Sequence, residues 1–160
     1  MAEATTGVIP AYDAEATTGV IPAYDCVFKI NTAGRGENPT WSEIKDVEEM
    51  QVTIDGNVVE WSPYDQHGWA RRSMTGKKIG IALKGKRNFG DAGNDYVADK
   101  LTKMGKDVES QFQVTLPNGA LLEYDCIINT TNAFGGAAND LNNLESEILS
   151  DGEPSFTAAA

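Results

Sequence analysis

The chain has 160 residues, 41% of them hydrophobic, with 16 glycines and 24 Asp and Glu against 13 Lys and Arg, for a net charge of -11. That length supports one domain with a real core, and the composition fits a turn-rich β protein better than a disordered chain. The acid excess argues against tight nucleic-acid binding, and with no secretory apolar core and no apolar run near the roughly 20 residues of a membrane span, a soluble protein made in a cytoplasm is expected.

Residues 2–13, AEATTGVIPAYD, recur unchanged as residues 14–25. A twelve-residue unit occurring twice is too short and too exact for a solenoid, whose repeats run about 20 to 50 residues. Residues 1–25 are therefore read as a duplicated N-terminal arm, an expression scar or a local duplication, with its first copy a loose tail. The body is expected over 26–157, with 158–160 as a tail.

Residues 26–32, CVFKINT, alternate Cys26, Phe28 and Ile30 against Val27 and Lys29, which predicts a strand. Residues 33–40 are a loop by their Gly and Pro content. Residues 50–61 read as a hairpin turning at Asp55-Gly56-Asn57, and 62–76 as a long connection rich in Trp and Arg, a candidate interaction loop. A strand over 78–83 then places Ile79, Ile81 and Leu83 on one face.

The one convincing helix is expected at 95–104, capped by Asn94, stopped at Gly105, and packing Val97, Leu101 and Met104 on the sheet. Residues 111–130, QFQVTLPNGALLEYDCIINT, are the strongest local signal, a second β-hairpin. A two-residue turn would set Val114 against Glu123 and Phe112 against Asp125. A three-residue Pro117-Asn118-Gly119 loop with a G1 bulge instead pairs Leu116 with Ala120, Val114 with Leu122 and Phe112 with Tyr124. Its other face carries Gln111, Gln113, Thr115, Glu123 and Asp125, without a cation. Residues 132–139 form a loop, 144–149 (LESEIL) suit helix or strand equally, and SFTAAA reads as a tail after the turn at Ser150-Asp151-Gly152.

Charge is unevenly spread. Residues 66–90 contain no Asp or Glu, yet Arg71, Arg72, Lys77, Lys78, Lys84, Lys86 and Arg87 supply seven of the thirteen basic groups. Such a stripe suits a solvated face, a nucleic-acid footprint, or a contact with the acidic surface of another copy; the acid excess elsewhere ranks the second last.

No motif builds an active site. GIALKGK at 80–86 matches the start of a phosphate loop, but Arg87 follows where Ser or Thr belongs and the segment is strand-like. His67 stands alone in a loop, and Asp91, Asn94, Asp95 and Asp99 lack calcium-loop spacing. Cys26 and Cys126 are expected as reduced thiols. No catalytic, cofactor-binding or metal-ligating residues are assigned, and the chain is not expected to be an enzyme.

The order of these pieces resembles the major tail tube proteins of long-tailed bacteriophages. The resemblance is carried by Val52-Thr53-Ile54-Asp55-Gly56-Asn57, Trp61, Gly68-Trp69-Ala70-Arg71-Arg72, Met74-Thr75-Gly76-Lys77-Lys78 and Gly85-Lys86-Arg87-Asn88. It continues through Gly90-Asp91-Ala92-Gly93-Asn94-Asp95-Tyr96-Val97, Pro117-Asn118-Gly119, Gly135-Gly136 and Ser150-Asp151-Gly152-Glu153-Pro154. It implies a mainly β fold, an antiparallel sandwich or barrel with one flanking helix, assembled as hexameric rings stacked into a tube in the virion tail. It further implies assembly in the bacterial host cytoplasm, a tape-measure protein and tail-end proteins as partners, DNA as transiting cargo, and no membrane partner. By the same analogy LESEIL is a strand and the loop around Trp69 bridges subunits or rings.

A conduit for a polyanion needs a wall without cations or stacking aromatics. Gln111, Gln113, Thr115, Glu123 and Asp125 are therefore the candidate lumen face, the alternative being an ordinary solvent-exposed face of an antiparallel sheet. Trp69, Arg71, Arg72, Lys77, Lys78, Lys84, Lys86 and Arg87 are the candidate subunit or ring contacts. The competing reading is a monomeric binding module using Trp61, Tyr64 and Trp69 as an aromatic patch.

Overall fold

A computed structural model of the chain describes residues 18–36 and 38–158. The first copy of the N-terminal repeat, expected as a loose tail, lies outside the described residues. Eight strands and one helix follow: β1 (Val27–Asn31), β2 (Trp41–Glu43), β3 (Val47–Trp61), β4 (Arg71–Lys86), α1 (Ala92–Asp99), β5 (Glu109–Thr115), β6 (Leu121–Asn132), β7 (Asn143–Ser150) and β8 (Ser155–Thr157). All pair antiparallel in one sheet of order β2-β1-β5-β6-β7-β4-β3, with β8 added on β6.

The sheet is open, with β2 and β3 at its ends. One curled sheet, neither two separate sheets nor a closed barrel, realises the expected mainly β architecture. Curling lets Ile30, Phe112, Val114, Tyr124, Cys126 and Ile128 share a core with Ile79, Ile81, Leu83, Leu144 and Ile148 from the other half. Phe112 and Tyr124 meet edge to face at 5.8 Å, and the Tyr124 hydroxyl donates to the Ile148 carbonyl at 2.8 Å. That bond joins β6 to its neighbour β7 on the core side.

The β5–β6 hairpin has the register expected from its sequence: Phe112 faces Tyr124, Val114 faces Leu122 and Thr115 faces Leu121. Leu116 N–H donates to Ala120 O, and Gly119 takes the left-handed backbone, φ 94°, that the bulged loop requires. LESEIL is strand, lying in β7 with Leu144, Ser146 and Ile148 inward.

Three expectations are corrected. The helix spans Ala92–Asp99, not 95–104, because the Asp91 carboxylate, not Asn94, accepts the N–H that caps it. Asn94 instead lies inside the helix, fully buried. Its amide donates to the carbonyls of Lys45 and Lys86 and accepts from Asn88 N–H and the Arg87 guanidinium, which fills its bonding capacity. Beyond Asp99 the chain tightens into a 3-10 turn, and Met104 is 79% exposed rather than packed.

The hairpin expected at 50–61 is not one. Val47–Trp61 is a single strand, and its true turn lies at 62–70, where His67 and Gly68 carry the positive φ. Gly56 serves a different purpose: the Met74 side chain from the opposite strand occupies the space a Cβ would need. Finally, Ser155–Thr157 pairs with Leu121–Glu123 instead of trailing free.

Candidate assembly surface

Strands β3 and β4 pair along nearly their whole length, but β7 joins β4 only from Gly80 to Lys86. Among the described residues, the outer nine of β4 therefore have β3 as their only strand neighbour. At about 3.3 Å per residue, a two-stranded ribbon of about 30 Å projects from the body.

Its faces follow from the register. Met50, Val52 and Ile54 continue the core side of the sheet opposite Leu83, Ile81 and Ile79. Past an irregularity between Asn57 and Val58, Val58 faces Met74 on the same side. The apolar stripe therefore continues off the core onto the ribbon, broken only where Gly56 faces Lys77. Ile81 at its base is 1% exposed, whereas Val52, Ile54, Val58 and Met74 are 47, 59, 51 and 52% exposed. Among the described residues nothing seals them from solvent. In addition β3 pairs only with β4, so its outer edge offers free backbone donors and acceptors among the described residues.

The ribbon ends in an aromatic and basic tip. Tyr64 is fully exposed, Trp69 is 78% exposed, and the Arg71 guanidinium lies 5.4 Å from the centre of the Trp61 ring. Arg72 pairs with Glu60 at 2.9 Å.

The basic stripe is thus spread along one strand rather than gathered on one surface. Lys77 and Lys78 sit mid-ribbon, opposite Gly56 and Asp55, and Lys84 lies between Glu49 on β3 and Glu145 on β7. Lys86 pairs with Glu48 at 3.3 Å. Arg87 is nearly buried, donating to Asp95 at 2.7 Å and to Asn94, with Phe89 stacked at 4.4 Å. It anchors the end of β4 to the helix.

Gln111, Gln113, Thr115, Glu123 and Asp125 do share one outward face. It is half-buried and internally bonded, Gln111 to Asp125 at 3.1 Å and Gln113 to Glu123 at 3.3 Å. The hairpin itself has no cation, but the sheet brings two nearby. Lys29 pairs with Gln113, and Arg35 bridges Glu109 and Asp151.

Sequence reading missed Val52, Ile54, Val58 and Met74 as a surface, although their period of two, continuous through Gly56, was the available signal. Among the described residues no three His, Cys, Asp or Glu are grouped to hold a metal ion, and no helix is long and apolar enough to cross a membrane. Cys126 is a buried free thiol, its pKa pushed up to about 12 chiefly by burial, so it is inert at neutral pH.

No family model and no curated protein matches the sequence. Solved structures do. A chain in the tail of an empty gene transfer agent particle, refined with C6 symmetry, is 21% identical with a TM-score of 0.68, covering 87% of this chain and all of that one. A chain in the virion of a native gene transfer agent particle is 20% identical with a TM-score of 0.61 over the same shares. A chain of the anti-feeding prophage cap, which terminates that particle's tube, is 11% identical with a TM-score of 0.55 over 96% of this chain and 97% of that one. The chain therefore has a tail-tube-like fold.

Proposed function

We propose that the chain is a structural subunit of a tail tube, self-assembling into stacked hexameric rings that form the conduit for DNA delivery. The observation that carries this reading is the outer half of the β3–β4 ribbon. A two-stranded ribbon is marginally stable in water, and this one leaves a row of apolar side chains and a free strand edge exposed. Neighbouring copies would satisfy both needs, by covering the face and by extending the sheet. The fold shared with a chain of a six-fold tail supports the same assembly.

In this role the chain performs no chemistry, and its partners are other copies, a tape-measure protein, tail-end proteins and passing DNA. The virion tail is its site of action and the bacterial cytoplasm its site of assembly.

Two faces compete to line the bore. One is the face of Gln111, Gln113, Thr115, Glu123 and Asp125. The free edge of β3 favours the other, the outward face of β3, β4 and β7, where Gln51 pairs with Ala82, Ala82 with Glu147, and Lys84 is flanked by two carboxylates. Lysines at Gln113 and Glu123 impede DNA delivery by assembled particles if the first face lines the bore. Lysines at Gln51 and Glu147 do so if the second does.

The exposed Trp61, Tyr64 and Trp69 also suit the reading of a monomeric binding module. Negative-stain microscopy of the concentrated protein, with a tail initiator if growth requires one, separates the two. Tubes or rings support the tube subunit, and a chain that stays monomeric at every concentration, with or without the initiator, refutes it.

A further inference from the structure

The chain has four methionines, and their surroundings differ. Met1 lies outside the described residues. Met50 packs partly buried against the core, and Met104 stands 79% exposed beyond the helix. Met74 is 52% exposed on the apolar face of the ribbon, opposite Val58. Its side chain does not hang free. It folds across to β3 and fills the notch at Gly56, where a Cβ would stand 2.5 Å from the Met74 sulfur and 2.8 Å from its terminal methyl. Methionine is unbranched and polarisable, which suits it to an irregular gap of this kind, and its thioether is also a group that oxidants alter. Val52, Ile54 and Val58 beside it offer a peroxide nothing to attack.

We propose that Met74 is an oxidant-sensitive modification site that decides whether a free subunit can join an assembly. The reagent is hydrogen peroxide. Its O–O bond breaks as an S–O bond forms on the Met74 thioether; the sulfur gives up one electron pair, and the second oxygen leaves as water with both protons. An apolar side chain thereby becomes a polar sulfoxide. The proposal rests on the tube reading, in which neighbouring copies cover this face, and adds the position on the face that chemistry can switch.

The place of the sulfur decides the consequences. In the free subunit the sulfoxide oxygen can turn to water, so the fold is retained. Under a neighbouring copy the same oxygen is carried into an apolar contact, and burying a polar group without a hydrogen-bond partner opposes that contact. Oxidation therefore blocks joining without unfolding the subunit. Conversely, a copy that covers the face keeps peroxide from the sulfur, so assembly protects the site that controls it.

Dissociated subunits treated with hydrogen peroxide test this, with peptide mass mapping to read the added oxygen at each methionine and light scattering to read the critical concentration for tube growth. Met74 and Met104 should take up oxygen faster than Met50, and the critical concentration should rise at least tenfold. Reduction by the two stereospecific sulfoxide reductases with a dithiol should restore it. Met104→Leu should respond to peroxide as the unaltered chain does, whereas Met74→Leu should have the same critical concentration before and after treatment. Met74→Gln, polar and of similar length, should show the rise without peroxide. Treated subunits that carry oxygen at Met74 yet grow tubes as before overturn the proposal, as does a Met74→Leu chain that loses growth on treatment. Either outcome leaves the tube reading standing, because the untreated chain is measured in the same series. If the untreated chain forms no tube or ring under any condition, the tube reading itself fails and takes this proposal with it.

Discussion

The two halves of the β3–β4 hairpin share a register and an alternation of apolar and polar residues, yet they differ in everything that determines stability. At the base, Ile79, Ile81 and Leu83 of β4 are sealed in the core; Val52 and Ile54 on the edge strand opposite them, and Val58 and Met74 farther out, carry the same pattern into solvent. Pattern alone therefore does not say what buries a strand face. A strand on either side does so for the base of β4, and where one is missing, along the edge of β3 and beyond Gly80 on β4, the same face is left bare.

Substitutions should separate the halves cleanly, with stability responding at the body and assembly at the ribbon. The largest effect is expected in the core. Phe112 is wholly buried against Tyr124, so Phe112→Ala should cost about 3–5 kcal/mol in urea unfolding of the dissociated subunit. A loss under about 1 kcal/mol would mean that the core is not packed around this pair.

On the ribbon the sign of the comparison reverses. Val58→Ser with Met74→Ser should cost the subunit no more than about 2 kcal/mol, because each side chain is half exposed. Tube growth should nevertheless weaken at least tenfold, as read by light scattering against concentration. A ribbon variant that unfolds the subunit while sparing assembly would invert the account.

Charge comes next. Reversing Arg71 and Arg72 to Glu should slow growth most at low salt, with the deficit shrinking as ionic strength rises, because these cations are exposed and screened. A salt-independent deficit would point to lost packing on Trp61 instead.

The smallest effect is alkaline. Burial raises the Cys126 pKa to about 12, above the ordinary value of 9.0, so the folded chain holds the proton that the unfolded chain gives up. The resulting stability is present below pH 9 and is lost as pH rises through 9 towards 12. Cys126→Ala should therefore be less stable at pH 7 but decline less steeply above pH 9. A parallel decline in both chains would remove this thiol from the explanation.

What the sequence made legible was local and self-consistent. The pairing of Phe112 with Tyr124 could be argued because the alternative put carboxylates against apolar residues, and no distant contact was needed to choose. The ribbon failed for the opposite reason. Asp55-Gly56-Asn57 is a good turn signal, and only Met74, eighteen residues away across the sheet, explains why a glycine stands in the middle of a strand. Asn94 is a similar case. Its capping chemistry is real, but the carbonyls of Lys45 and Lys86 claim it for the interior, and Asp91 caps the helix instead. The basic stripe was visible as a count but not as geometry: strand alternation and pairing divide it among the tip, the sheet face and the helix anchor.

The central claim is that the outer ribbon is bare in the free subunit and covered in the assembly. Hydrogen–deuterium exchange on both forms tests it most directly, comparing peptides from 52–61 and 71–78 with peptides from 111–130. The expected result is slow exchange at 111–130 in both forms, with the ribbon peptides fast in the free subunit and at least tenfold slower in tubes. Tubes whose ribbon peptides exchange as fast as those of the free subunit would contradict it.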